Sequence, residues 1–338
     1  MGKLVGWSRR QKITIDHNKI DSDLSNFPVK VILSSDNPFF DKVQLDGRDV
    51  RFTAIDGITM LDFEREVHDN NKLIAVYHVK IPLVSSTVDT DFYMYYDNPN
   101  ASDASSPNDV WDSNYKLVMH MGPSLEDSTS NGNDGTNYGT TLGLASDGYY
   151  RSFDGVDDYV LISNLGNTTM GDMTFSCWMN RDEINVRDIV FGNYVITQDV
   201  NLFNFEIHTD NHARVYWLKP PSLLDVRGST VVPNKQWILY LFVRDTTNSK
   251  WYFYLNGQLA DTLNGAGVSF TDARDHYIGR DTRTGHTALK GKIAEVRISS
   301  TARSDAWIKA TSASLHNALL TFGDEETVVR PRVQVVFI

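Results

Sequence analysis

The sequence predicts an all-β protein built from two β-sandwich domains, with one short helix and a β-prone tail at the C-terminal end. Three observations carry this. Apolar residues alternate with polar ones over short runs, the period of a half-buried antiparallel strand. Asp, Asn, Gly and Pro punctuate those runs at short intervals. No apolar set holds helical spacing for long before Ser304.

The chain has 338 residues, enough for two domains at roughly 100–200 residues each. Its hydrophobic fraction of 41% supports an ordinary core without disulfide staples, and the single cysteine, Cys177, has no intrachain partner. Aromatic content is 11%, first of all a mark of sheet propensity and secondarily of stacking platforms. The net charge of −11 comes without a basic run, which argues against a nucleic-acid partner. No stretch approaches about 18 consecutive apolar residues, so membrane insertion is not expected. The opening MGKLVGWSRRQ lacks the apolar run of a signal peptide, and release by lysis or a cytoplasmic life is the expectation drawn from it.

Residues 1–98 are expected to form the first sandwich. KITID places Ile13 and Ile15 on one face, and PVKVILS does the same for Val29, Val31 and Leu33. DVRFT, FEREV and LIAVYHVKIP continue the pattern, and in DFYMYYDN the set Phe92, Met94, Tyr96 alternates with Tyr93 and Tyr95. Residues 99–113 are polar and carry two prolines, which reads as a linker, with Trp111 its anchor onto the second domain.

Residues 114–312 give the second sandwich. Its expected strands are YKLVMHM, DYVLIS, MTFSCWMN, DIVFGN, FNFEIHT, ARVYWLK, QWILYLFVRD, WYFYLNGQLA, HYIGR and KIAEVRIS. QWILYLFVRD and WYFYLNGQLA should pair across DTTNSK, and Asn256-Gly257 is the favoured pair for a type I′ reversal. This many strands predict a jelly-roll-type double sheet, with Phe153–Trp178 at its centre. Ser304 then caps a short helix with Trp307 and Ala310 on one face. Residues 313–338 are read as a tail ending on VVRPRVQVVFI.

The second domain resembles the concanavalin A-like, laminin-G-like lectin superfamily. The resemblance rests on LEDSTSNGNDGT (Leu125–Thr136), FDGVDDYV (Phe153–Val160), MTFSCWMN, WYFYLNG, IGR at Ile278–Arg280, and GKIAEVRISSTARS (Gly291–Ser304), in this order. The first domain resembles a family of unknown function fused ahead of such lectins in bacterial surface and phage proteins. Trp7 with KITID, Asp49–Gly57, FEREV and Asp91–Pro99 carry that likeness.

Chemistry-bearing residues are few. Asp127, Asn131, Asn133 and Asp134 gather hard oxygen donors in one short loop, and calcium takes six to eight such oxygens. The resemblance associates this loop with calcium, helped by an acidic residue in the last strand motif. Here that position is Ala294, which removes a ligand. The competing account is a polar turn whose Asx side chains bond their own backbone. Asp157 and Asp158 are adjacent in an extended run and point to opposite faces, so they do not form an acid/base pair. Glu64 and Glu66 share a face about 7 Å apart by strand spacing, but a solvated face explains them better. His208 and His212 straddle a turn rather than a helix, which removes a zinc reading.

Binding is what remains. The aromatic candidates near turns are Tyr138, Tyr149, Tyr150, Tyr194, Trp217 and Tyr277, although packing explains each one singly, and the sequence does not name the carbohydrate-binding residues. The leading expectation is a non-enzymatic protein of the virion surface, a phage head decoration, head fibre or tail adhesin. Its lectin-like domain would attach to host-surface glycans. Residues 327–338 would add as an edge strand to other virion subunits in a homo-oligomer. A polysaccharide-degrading enzyme on the same fold, a purely structural component, and a bacterial cell-surface or extracellular location are the alternatives.

Overall fold

A computed structural model describes residues 2–163, 165, 168–193, 202–219, 222–265, 270–272, 275–281 and 288–328. The protein is nearly all β, and it divides into two units, residues 1–110 with 313–338, and residues 111–312.

The first unit stacks a five-stranded antiparallel sheet and a three-stranded one. The order in the first is Leu320–Thr327, Arg9–Ile15, Thr90–Tyr96, Arg51–Ala54, Met60–Leu61; in the second it is Leu24–Leu33, Ile74–Val84, Phe63–Asp69. The expected alternation decides which face is inside. Ile13, Ile15, Phe92 and Met94 are buried with Phe52, Phe63 and Tyr77, whose rings meet edge to face at 5.3–6.2 Å. Tyr93 and Tyr95 take the other face, where Arg10 lies 3.9 Å from the Tyr93 ring centre.

Two boundary expectations change. The C-terminal stretch is not a tail: Leu320–Thr327 is a strand in register with Arg9–Ile15, with Arg10 and Gln11 opposite Glu326 and Glu325. The run LTFGDEET was too polar to announce itself, because a strand bonded by charge complementarity lacks the apolar alternation that marks burial. Within residues 99–113, the segment before Trp111 straps the first unit rather than swinging free. Arg65 holds Asp103, Arg51 donates to the Ser102 carbonyl, and Gln44 donates to those of Asn98 and Ala101. Residues 329–338, the larger part of the proposed assembly strand 327–338, lie outside the described residues.

The second unit packs two sheets face to face. One runs Thr141–Ala145, Gly148–Asp154, Lys290–Ser299, Met173–Arg181, Ile238–Asp245, Lys250–Leu255, Gln258–Asn264, with Tyr115–Met119 also paired to Lys290–Ser299, eight strands in all. The other has seven, in the order Ser222–Val231, His212–Lys219, Leu202–Ile207, Asp188–Gly192, His276–Ile278, Tyr159–Ile162, Gly135–Tyr138. One continuous core fills the space between them, with Phe175, Phe191, Phe205, Phe242, Phe253 and Trp251 at its centre. The expected hairpin pairs Tyr240–Asp245 with Lys250–Leu255, and Asn256 and Gly257 both have positive φ, as a type I′ turn requires. Ser304 Oγ accepts from Trp307 N at the start of the helix Asp305–Leu315.

Phe153–Trp178, the stretch expected at the centre, spans both sheets. Tyr159–Ile162 belongs to the seven-stranded sheet and Met173–Arg181 to the eight-stranded one, so the stretch supplies both walls of the core. Gly279 shows how closely these walls meet. Its φ is +92°, and a Cβ there would sit 2.4 Å from the Phe153 ring.

An ion pair joins the sheets where Met173–Arg181 ends. Arg181 Nε lies 2.9 Å from Asp188 Oδ2, and both side chains are buried. Burial pushes the Asp188 carboxyl up to about 7 in spite of Arg181, and Glu183 adds to the rise. An unfolded Asp titrates near 3.9, so the folded unit keeps a proton that the unfolded chain releases between those values. Stability is therefore fully present below about pH 4 for this group and lost as pH rises through about 7. The second unit should lose about 1–4 kcal/mol over that window, read as a lower melting temperature at pH 8 than at pH 5. Asp188→Asn should flatten the dependence, because an amide has no proton to release over this range. A wild-type melting temperature rising across this window would contradict the assignment.

Candidate functional site

The acidic loop is the crossover from one sheet of the second unit to the other. It leaves Tyr115–Met119 and delivers the chain to the edge strand Gly135–Tyr138. Asp127 is its buckle. Asp127 Oδ1 accepts from Val118 N and Thr129 N at 3.0 Å each; Oδ2 accepts from Thr129 Oγ1 at 2.8 Å and Asn133 N at 3.0 Å. Asp134 Oδ1 accepts from Asp127 N, while Asn131 and Asn133 donate to the carbonyls of Tyr115 and Lys116.

These residues do not fit a calcium shell. A carboxylate offers about four lone-pair sites, and protein donors take all four on Asp127. Asn131 and Asn133 turn N–H groups, not oxygens, to the strand beside them, and Ala294 has no side-chain oxygen to give. Calcium added to EDTA-treated protein is expected to move the melting temperature by less than about 1 °C, since binding at 100 times Kd would stabilise by about 2.7 kcal/mol. A calorimetric binding isotherm would overturn this.

What the loop positions is a tyrosine face. Val160 and Ile162 point into the core, so Tyr159 and Leu161 occupy the opposite face of the seven-stranded sheet. Tyr159 stands directly across from Tyr138 on the edge strand, and Leu161 across from Tyr277. The rings of Tyr138 and Tyr159 stack with centres 4.4 Å apart and planes within 4°. Tyr277 tilts against Tyr159 at 5.7 Å. The Arg280 guanidinium lies 4.8 Å from the Tyr159 ring centre and donates to the carbonyls of Asp157 and Asp281. Tyr138 covers one face of Tyr159, so Arg280 takes the other, and the stack ends on Tyr138, which is 42% exposed. The same sheet face continues through Gly192, Asn204 and Tyr216, successive partners across the strands.

The aromatic candidates therefore separate. Tyr138 and Tyr277 meet on one face, and Tyr159, absent from the sequence-based set, joins them. Trp217 is a core residue, buried between Phe203 and Trp251 with Arg244 over its ring. Its place was legible, since Ala213, Val215 and Trp217 alternate on one face of ARVYWLK. Tyr149 and Tyr150 lie on Gly148–Asp154 in the other sheet, and Tyr194 falls outside the described residues.

The other candidates form no acid/base site. Asp158 is buried and bonds Asp154 N, while Asp157 is exposed. A bulge falls between Arg65 and Val67, and the Glu66 carboxylate reaches His78 at 2.8 Å and Lys30 at 3.5 Å. Glu66 is thus a buried, ion-paired group rather than part of a solvated face. Burial pushes the Cys177 thiol far up, which leaves it unreactive.

Two packed antiparallel sheets with this crossover define a concanavalin A-like jelly roll. Residues 154–309 match the family described as the concanavalin A-like lectin/glucanases superfamily, preceded at residues 46–134 by a match to a domain of unknown function. No curated protein matches the chain. Among solved structures, domain 4 of the GH43 extracellular arabinanase AbnA from Geobacillus stearothermophilus, in complex with arabinotriose, is similar. It is 19% identical with a TM-score of 0.50, over 59% of this chain and 100% of that one. The binding domain of Paraclostridial Mosquitocidal Protein 1 is 10% identical with a TM-score of 0.49, over 60% of this chain and 53% of that one. The Ruminococcus gnavus IT-sialidase CBM40 bound to α2,3-sialyllactose is 15% identical with a TM-score of 0.37, over 43% and 84%. At these identities the likeness is one of fold.

Proposed function

We propose that the second unit is a non-catalytic glycan-binding module whose ligand lies on the Tyr138–Tyr159–Tyr277 face. The observation that carries this is the ring stack closed by Arg280 at one end and open to solvent at Tyr138. A sugar ring presents a C–H face that packs on an aromatic ring, and the open face of Tyr138 offers one. The arabinanase domain, solved with arabinotriose on a similar fold, supports a carbohydrate as the ligand class. The setting we propose is the virion surface, attaching to host-surface glycan, on the strength of the sequence resemblance; mass spectrometry of purified particles tests it.

Tyr138→Ala is expected to weaken binding to the best wild-type ligand on a glycan array by about tenfold or more, equivalent to about 1.4 kcal/mol. Its melting temperature should stay near wild type, because the ring is at a sheet edge. A wild-type protein that binds nothing on the array would support the structural alternative and sink this reading.

A further inference from the structure

The outer face of the eight-stranded sheet holds a second aromatic cluster, separate from the tyrosine stack. Phe175, Cys177 and Met179 point into the core, which turns Trp178 and Asn180 outward. Trp237 lies nearly parallel to Trp178, with ring centres 6.1 Å apart and planes within 9°. Tyr150 meets Trp237 at 5.8 Å and 65°. Space for these rings comes from small neighbours. Trp178 is paired with Ala294, and Tyr150 lies across Gly143, where a Cβ would fall 2.1 Å from its Cζ. Trp237 and Tyr150 remain part-exposed.

Two polar groups complete the cluster. Lys292 is paired with both Asn180 and Ser152 across the strands, and its ammonium lies 5.1 Å from the Tyr150 ring centre. Among the described residues it makes no ion pair, whereas Lys290, two residues earlier, is held by Glu183 at 2.7 Å. Asn180 Oδ1 is buried without a hydrogen-bond donor among the described residues. An ammonium without a counter-ion, in a chain of net charge −11, attracts an anion. Aromatic faces beside it suit a ring with an apolar side.

We propose that this cluster is a second carbohydrate site, selective for acidic sugars, with the ring packed on Trp237 and Tyr150 and the sugar carboxylate on Lys292. It stands apart from the tyrosine face, so either site can fail without the other.

Calorimetry on the full chain tests it with three probes: trigalacturonate, its neutral methyl ester, and sialyllactose. Wild type is expected to bind at least one acidic probe, with trigalacturonate about tenfold or more tighter than its ester if it is the one. Trp237→Ala should abolish that binding. Lys292→Met should reduce it at least tenfold, to the level of the ester where trigalacturonate is the ligand, and Lys292→Arg should restore it. Tyr138→Ala should leave it unchanged. The proposal is overturned if neither acidic probe binds, or if binding survives both Trp237→Ala and Lys292→Met in variants that melt like wild type. Loss of acidic binding in Tyr138→Ala alone would also overturn it, placing the ligand on the tyrosine face and leaving that reading intact.

Discussion

A chain ending at Ser312 is expected to lose the fold of the first unit while the second unit still melts as it does in the full protein. Three contributions go at once. Arg9–Ile15 loses its neighbour Leu320–Thr327 and becomes an edge strand with unpaired backbone groups. Leu315, Leu319 and Val328, all buried, disappear, at about 1.5–3 kcal/mol each for side chains of this size. Lys42, Arg10 and the Tyr96 hydroxyl lose the carboxylates of Glu325 and Glu326, which hold them at 2.5–2.8 Å. Arg10 is itself buried, so its lost partner costs more than a surface pair would. The sum exceeds about 5 kcal/mol, the lower end of domain stability. Differential scanning calorimetry should show the second unit's transition alone, with the shortened protein prone to aggregate through its new edge. Two transitions at wild-type temperatures would show that the C-terminal strand is dispensable.

That strand also marks where the sequence stops being readable. Strands buried on one face were legible because alternation is a local property: Ile13 and Ile15, Phe92 and Met94, or Cys177 between Phe175 and Met179. LTFGDEET pairs with a segment more than 300 residues away, and only register reveals that Glu325 and Glu326 sit opposite Gln11 and Arg10. The candidate site divides in the same way. Tyr138 and Tyr277 could be named from their turn-rich surroundings. Tyr159 could not, because DYVLIS reads equally as a core strand until Tyr138 is placed across from it. Glu64 and Glu66 misled in the other direction, since even spacing promised a solvated face and a bulge with a lysine and a histidine gave a buried ion pair.

Asp127→Ala is expected to destabilise the second unit by about 3–5 kcal/mol and to weaken glycan binding at the tyrosine face with it. The carboxylate is 7% exposed and satisfies three backbone N–H groups and one hydroxyl, from Val118, Thr129 and Asn133. Alanine leaves these donors facing a space closed to solvent, and each buried unpaired group costs about 1–3 kcal/mol before relaxation. Asp127→Asn separates charge from shape. Its carbonyl oxygen can still serve Val118 and Thr129 N, but its NH2 confronts the Asn133 N–H and the Thr129 hydroxyl, so an intermediate loss is expected. Binding should follow stability, because the loop feeds Gly135–Tyr138 and Asp127 ties it to Tyr115–Met119 in the opposite sheet. A loop freed at Asp127 would let the edge strand fray and part Tyr138 from Tyr159. Denaturant melts of both variants, paired with titration of the best array ligand, read the two effects together. If Asp127→Ala melts within about 1 kcal/mol of wild type, the loop is not the buckle described here. If it is destabilised yet binds normally well below its melting temperature, the tyrosine stack does not depend on the loop for its alignment.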